Sequence, residues 1–241
     1  MSRFVNYRFE DGVAVITMDD GKVNAMSPTM IAELDAALGE AEGDGGVVLI
    51  AGRDGVFSGG FDLKVLAAGG SDALAMIRKG FELAARILAF PRPVVMACPG
   101  HAVAMGLFLL TAGDYRIGAE GPYRLVANEV AIGMTVPRAA IAILRERLTP
   151  AVLSRAVTLA EPFTPADAVA AGLLDRVVPA GEVLDVAGTA AQALAALDMP
   201  AHAESKLRLR TPALDAIRDG IAVDEALLLA QATRRSGRSD S

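Results

Sequence analysis

Two stretches of this chain place small residues where a strand would pass through a loop into a helix. They are Phe57-Ser58-Gly59-Gly60-Phe61-Asp62-Leu63-Lys64 and Cys98-Pro99-Gly100-His101-Ala102-Val103-Ala104-Met105-Gly106-Leu107. Glycines there permit a tight path and close approach of a ligand, and the helix that follows begins with unpaired backbone N–H groups. Either stretch alone also reads as an ordinary turn without a ligand. On neighbouring units of one sheet, the pair can aim two N–H groups at one oxygen, as needed when charge develops on a carbonyl oxygen as an α-proton leaves. His101 lies near the second turn and can touch a ligand there or be a satisfied loop histidine. His202 reads as surface or interface, Asp62 as a helix cap, and Asp114 as a residue that fixes a loop. Cys98 sits in an apolar run with no activating partner in sequence and reads as packing. No His, Cys, Asp or Glu spacing suits a metal, and no GxxxxGK or GxGxxG loop is present, so neither a metal nor a bound cofactor is expected.

The elements that must carry these turns follow from pattern. Val5, Tyr7 and Phe9 alternate with polar residues, and an Asp11-Gly12 step precedes the apolar run Val13 to Met18, which predicts a hairpin. Ser27-Pro28 reads as N-cap and first helical position, with Met30, Leu34, Ala37 and Leu38 at helical spacing. Gly46 to Ala51 and Val94 to Cys98 read as buried strands, Tyr115 to Ala119 as another, and Leu74 to Leu88 and Met105 to Ala112 as helices. Strand pairs alternating with single helices predict an α/β core with mainly right-handed crossovers. Beyond Pro179 the pattern turns helical: Val183 to Leu197, Ala201 to Leu209 and Pro212 to Gln231. The chain therefore divides near residue 183.

Composition narrows the function classes. The chain has 241 residues, a net charge of -6, no Trp and one cysteine. A mildly acidic chain with few aromatics is a poor partner for nucleic acid. Its only arginine cluster, Arg234, Arg235 and Arg238, sits in a terminal segment that reads as solvated or disordered. One thiol cannot build a disulfide framework, and the N-terminus lacks a secretory pattern, so a reducing, cytoplasmic location is expected. Pro93 to Gly113 is apolar enough to suggest a membrane span, but Pro99, Gly100 and His101 interrupt it, and a buried strand followed by a buried helix is expected instead.

At this point a resemblance is clear. FSGGFDLK is similar to the FxAGxDLK element of the crotonase (enoyl-CoA hydratase/isomerase) superfamily, and GHAVAMGLFL to its GxxxGGGxxL element. DYRIGAE and NEVAIGMTVP resemble the later CDxRIAAE and PEIxLG-type elements. The motifs stand in the family's order and cover roughly Val13 to Pro179. The resemblance implies an α/β, crotonase-like spiral of ββα units with a helical C-terminal part. Residues 1–183 would be the core, 184–233 a helical region for trimerisation or lid formation, and 234–241 a disordered tail. It also implies an acyl-CoA or enoyl-CoA substrate and a homotrimer or dimer of trimers.

By the same resemblance, the oxyanion N–H groups would be those of Phe61 and Met105. The acyl-CoA would run along Gly59, Gly60, Phe61, Asp62, Leu63, Lys64, Met105, Gly106 and Phe108, and the adenine end would pack near Lys22, Asn24 and Ala25. Lys22 and Lys64 can meet phosphates or be ordinary surface lysines. Hydratases of this family pair two glutamates. The first position, three residues after Met105, is Phe108 here; the second is kept as Glu129. Burial in an apolar pocket would raise the pKa of Glu129 into the range of a general base. One glutamate suffices to move a proton between two carbons, as in Δ3,Δ2-enoyl-CoA isomerases, which this chain resembles in its NE and DYRI elements. Isomerisation is therefore favoured, with hydration of a 2-enoyl-CoA and non-catalytic acyl-CoA binding left as alternatives.

Overall fold

The computed structural model describes residues 4–239, with side chains through residue 230. Strands β1 (Val5–Glu10) and β2 (Val13–Met18) form the expected antiparallel hairpin, turning at Asp11 and Gly12, both at positive φ. Helix α1 (Pro28–Asp44) starts as predicted: the Ser27 hydroxyl accepts from Met30 N at 3.2 Å, and left-handed Gly45 ends it. The chain then steps twice between two sheets. β3 (Val47–Ala51) leads to β4 (Gly55–Ser58), and α2 (Leu63–Ala68) with α3 (Gly70–Ala89) returns it. β5 (Val94–Cys98) leads to β6 (Gly100–Val103), and α4 (Met105–Ala112) returns it to β7 (Tyr115–Ala119) and β8 (Leu125–Val126). After α5 (Arg138–Arg145), α6 (Pro150–Thr158) and α7 (Pro165–Ala171), the last strand is β9 (Arg176–Val178), followed by α8 (Val183–Leu194) and α9 (Met199–Ser239).

One sheet runs β1-β2-β3-β5-β7-β9, parallel from β2 onward, and the other runs β4-β6-β8, parallel throughout. The chain is thus a spiral of strand pairs and helices in which the first strand of each pair joins the larger sheet and the second joins the smaller. β3 and β5 are buried along their whole length because both faces are covered. With a period of two, Val48, Ile50, Val94 and Met96 enter the main core, while Val47, Leu49, Val95 and Ala97 pack against Val183, Ala187 and Ala191 of α8. The apolar stretch from Pro93 to Gly113 is divided among β5, β6 and the wholly buried α4. Among the described residues, no helix is long and apolar enough to cross a membrane.

One reading from sequence is corrected, and three helices were not anticipated: α5, α6 and α7 precede the last strand. Thr149-Pro150 and Thr164-Pro165 open α6 and α7 with side-chain caps, the same signal as Ser27-Pro28. The helices expected at Ala201 to Leu209 and Pro212 to Gln231 are one helix that runs through Pro212. Proline removes one helical hydrogen bond, but tertiary contacts hold both sides of it. Lys206 pairs with Asp114 at 2.6 Å and Arg210 with Glu146 at 2.8 Å, while Ala213 and Ile217 are buried beyond the proline. The tail expected over 234–241 falls partly on the last turns of α9, and residues 240–241 lie outside the described residues.

Candidate active site

Phe61, Met105 and Glu129 each emerge just past the carboxyl end of a strand, and those strands are the three neighbours β4, β6 and β8. Open α/β sheets place ligands beyond the carboxyl ends of parallel strands. The turn after β4 is built from below. Ser58, fully buried, donates from Oγ to Asn24 O at 2.7 Å and accepts from Gly60 N at 3.2 Å. Gly59 N donates to Val23 O and Met26 N to Gly60 O, each at 2.8 Å. Gly60 adopts φ +91°, and a Cβ there would stand 3.0 Å from Val103 O and 3.5 Å from Met105 N. The bare glycine therefore lets the first turn meet the second, and brings the segment around Phe61 alongside the Met105 N–H.

The second turn is bound to the third strand: Ala104 N donates to Val126 O at 2.8 Å. Ala104 itself takes φ 49° and ψ -122°, a conformation that favours glycine, immediately before Met105 opens α4. Gly106 brings α4 down on β4, since a Cβ there would lie 2.4 Å from Ser58 O. Neither the Phe61 nor the Met105 N–H is taken by an acceptor among the described residues. Two such donors side by side can hold one oxyanion.

Glu129 precedes a 3-10 turn, Val130–Ile132, and its carbonyl accepts from Met134 N at 2.8 Å, with left-handed Gly133 completing the bend. The residue is only 5% exposed, and Oε2 has no hydrogen-bond partner among the described residues. Burial raises its pKa above the usual carboxylate value, outweighing a backbone hydrogen bond that lowers it. A carboxyl group so placed is a stronger base than an exposed one and can take up and return a proton.

Phe108 is 1% exposed and stacks on Phe81 at 6.2 Å, and Phe81 meets the edge of the Phe61 ring at 6.0 Å. Side chains of the residues expected near the nucleotide divide into two groups. Lys22 and Lys64 are exposed and Ala25 is half-buried. Asn24 is fully buried at φ 50°, donating from Nδ2 to Met18 O and Phe57 O and accepting from Asp20 N, so its side chain works inside the turn. Asp20, which sequence reasoning passed over, organises that loop by accepting from Lys22 N, Asn24 N and Ala25 N. Although burial pushes its carboxyl pKa up, these donors and Arg53 hold it below the usual value. The visible signal was an Asp-Gly step at Asp20-Gly21.

Asp62 caps α2 by accepting from Lys64 N at 2.8 Å. His101 lies on β6, where its Nδ1 accepts from Arg124 N at 3.1 Å and its ring meets Tyr123 edge-on. Cys98 is buried, its thiol directed at Gly100 O and pushed up to about 12 by burial. Asp114 Oδ2 accepts from Val94 N and from Lys206 Nζ, fixing the start of β5 to α9.

Strand pairs alternating between two sheets, with backbone donors and one buried carboxylate at the ends of the smaller, define a crotonase-like α/β protein. Residues 8–238 match the family model for enoyl-CoA hydratase/isomerase, and the chain belongs to that family and is an enzyme of its type. A probable enoyl-CoA hydratase of Mycobacterium tuberculosis is 31% identical over 211 residues, covering 83% of this chain and 78% of that protein. Human mitochondrial enoyl-CoA delta isomerase 1 is 33% identical over 181 residues, 73% of this chain and 60% of that protein. An apo structure of an M. tuberculosis enoyl-CoA isomerase is similar with a TM-score of 0.89 at 50% identity, covering 92% of this chain and 97% of that one.

Proposed function

We propose that the chain is a Δ3,Δ2-enoyl-CoA isomerase in which Glu129 is the single acid and base. The Glu129 carboxylate takes a proton from C2 of a 3-enoyl-CoA, and the negative charge moves onto the thioester oxygen, between the N–H groups of Phe61 and Met105. The double bond shifts to C2–C3 as the Glu129 carboxylic acid returns a proton to C4. No atom is gained or lost, and no second acid is needed. The observation that carries this reading is the convergence of Phe61, Met105 and buried Glu129 at the ends of three adjacent parallel strands. Phe108 supports it, because an apolar, buried ring stands where the hydratase pattern has its other glutamate.

The thioester would lie along Gly59, Gly60, Leu63 and Gly106, with exposed Lys22 and Lys64 meeting CoA phosphates. The relatives' names include both hydratase and isomerase, so the discriminating experiment offers both substrates. With cis-3-enoyl-CoA the protein is expected to generate the conjugated enoyl chromophore, and with trans-2-enoyl-CoA to hydrate little or none. Hydration of the 2-enoyl substrate without bond migration in the 3-enoyl one would assign the hydratase reaction, and binding of both without turnover would assign a binding protein. A homotrimer is also proposed, with the exposed α9 side chains Leu209, Val223 and Leu227 offering apolar surface to a neighbouring copy.

A further inference from the structure

We infer that Gly80, in the middle of α3 and remote in sequence from every motif, is a positioning residue that seats both N–H-bearing residues of the oxyanion site. Glycine in a helix interior is unfavourable unless something needs the space. Here a Cβ on Gly80 would stand 2.5 Å from Phe61 Cε1 and 2.7 Å from Phe61 Cζ, distances no real contact tolerates, and 3.7 Å from Met105 Cε. The side chains of Phe61 and Met105 therefore converge on the same bare patch of α3. The Phe61 ring is further fixed by its edge contact with Phe81, which stacks in turn on Phe108. Met105 is 1% exposed, and its Cε would lie in ordinary van der Waals contact with that Cβ. With its ring also held by the edge contact to Phe81, Phe61 is expected to take up an added methyl at position 80 by shifting as a whole residue, which re-aims one of the two donors.

The inference rests on Phe61 and Met105 being the oxyanion donors, but not on which reaction follows. The test uses acetoacetyl-CoA, whose enolate shares its charge between the ketone and thioester oxygens and has its own absorbance, together with free CoA, which has no thioester carbonyl. Gly80→Ala is expected to bind the enolate about ten-fold more weakly, a fraction of the loss seen when an oxyanion donor is removed outright. Free CoA should bind it as it binds the wild type. Phe61→Leu removes the atoms that a Cβ would strike, so in that background adding Gly80→Ala should cost no further enolate affinity. This comparison decides the matter even if the single Gly80→Ala protein folds poorly.

Equal enolate affinity in Gly80→Ala and wild type would overturn the inference, as would an undiminished loss in the Phe61→Leu background. A wild type with no preference for the enolate would overturn it too. Gly80-dependent enolate binding without conversion of 3-enoyl-CoA would remove the isomerase reading and leave this one standing.

Discussion

In the proposed reaction the Glu129 carboxyl carries the chemistry, and its burial also has a thermodynamic consequence. Its pKa is raised in the folded protein by burial, so the folded state holds the proton more tightly than the unfolded chain does. Below the unfolded value both states are protonated and nothing is lost. As pH rises from there through the folded pKa, stability falls, and above it the loss is complete. Glu129→Gln removes this titration, so its melting temperature should match or exceed the wild type's at pH 7 to 8, with the gap closing toward pH 4. A gap that widens on acidification instead would mean that the ionised form is the stabilised one. At this scale the sequence was partly legible. Glu129 and the two turns stand in recognisable motifs, whereas the internal commitment of Asn24 and the loop-building role of Asp20 depend on a fold that no local pattern displays.

Among the elements, the turn between β6 and α4 carries visible strain. Ala104 sits at φ 49° and ψ -122°, where a side chain costs about 1 to 3 kcal/mol. Ala104→Gly should therefore raise stability, by about 1 kcal/mol once the extra chain entropy of glycine is set against the relief. Thermal or urea unfolding measures it, and a destabilised variant would show that the Ala104 methyl contributes packing that outweighs the strain. β1, β2, β3, β5 and β7 were legible from alternating or unbroken apolar runs, α1 from its Ser27-Pro28 start, α3 from its apolar stripe and α4 from an unbroken apolar run. β4, β6 and β8 were not, since two to four residues give a period too little length to register. α5 to α7 were missed although Thr-Pro caps mark two of them, because the change of pattern after Pro179 drew the boundary instead.

Across the whole molecule, buried ion pairs join distant parts of the chain. Arg116, 2% exposed, donates from Nε and Nη2 to both oxygens of Asp175, tying β7 to the approach of β9. Asp175→Ala would leave that guanidinium buried without its partner and should cost about 3 kcal/mol, the low end for a buried pair because Asp175 is partly exposed. Chemical denaturation reads this directly, and a loss under about 1 kcal/mol would place the pair with ordinary surface bridges. Likewise, Lys206 to Asp114 and Arg210 to Glu146 anchor α9 across the core. Such pairings join residues far apart in sequence, and so the path of a single helix through Pro212 could not be read from propensity alone.

The most direct test is conversion of cis-3-enoyl-CoA by wild-type and Glu129→Gln proteins, followed by the absorbance of the conjugated thioester. The wild type is expected to produce the chromophore and the Gln variant to lose at least 100-fold in rate, about the smallest contribution of a positioned general base, while still binding the thioester. A Gln variant that keeps the wild-type rate, or a wild type that binds the substrate without moving its double bond, would contradict the assignment of Glu129 as the proton carrier of an isomerase.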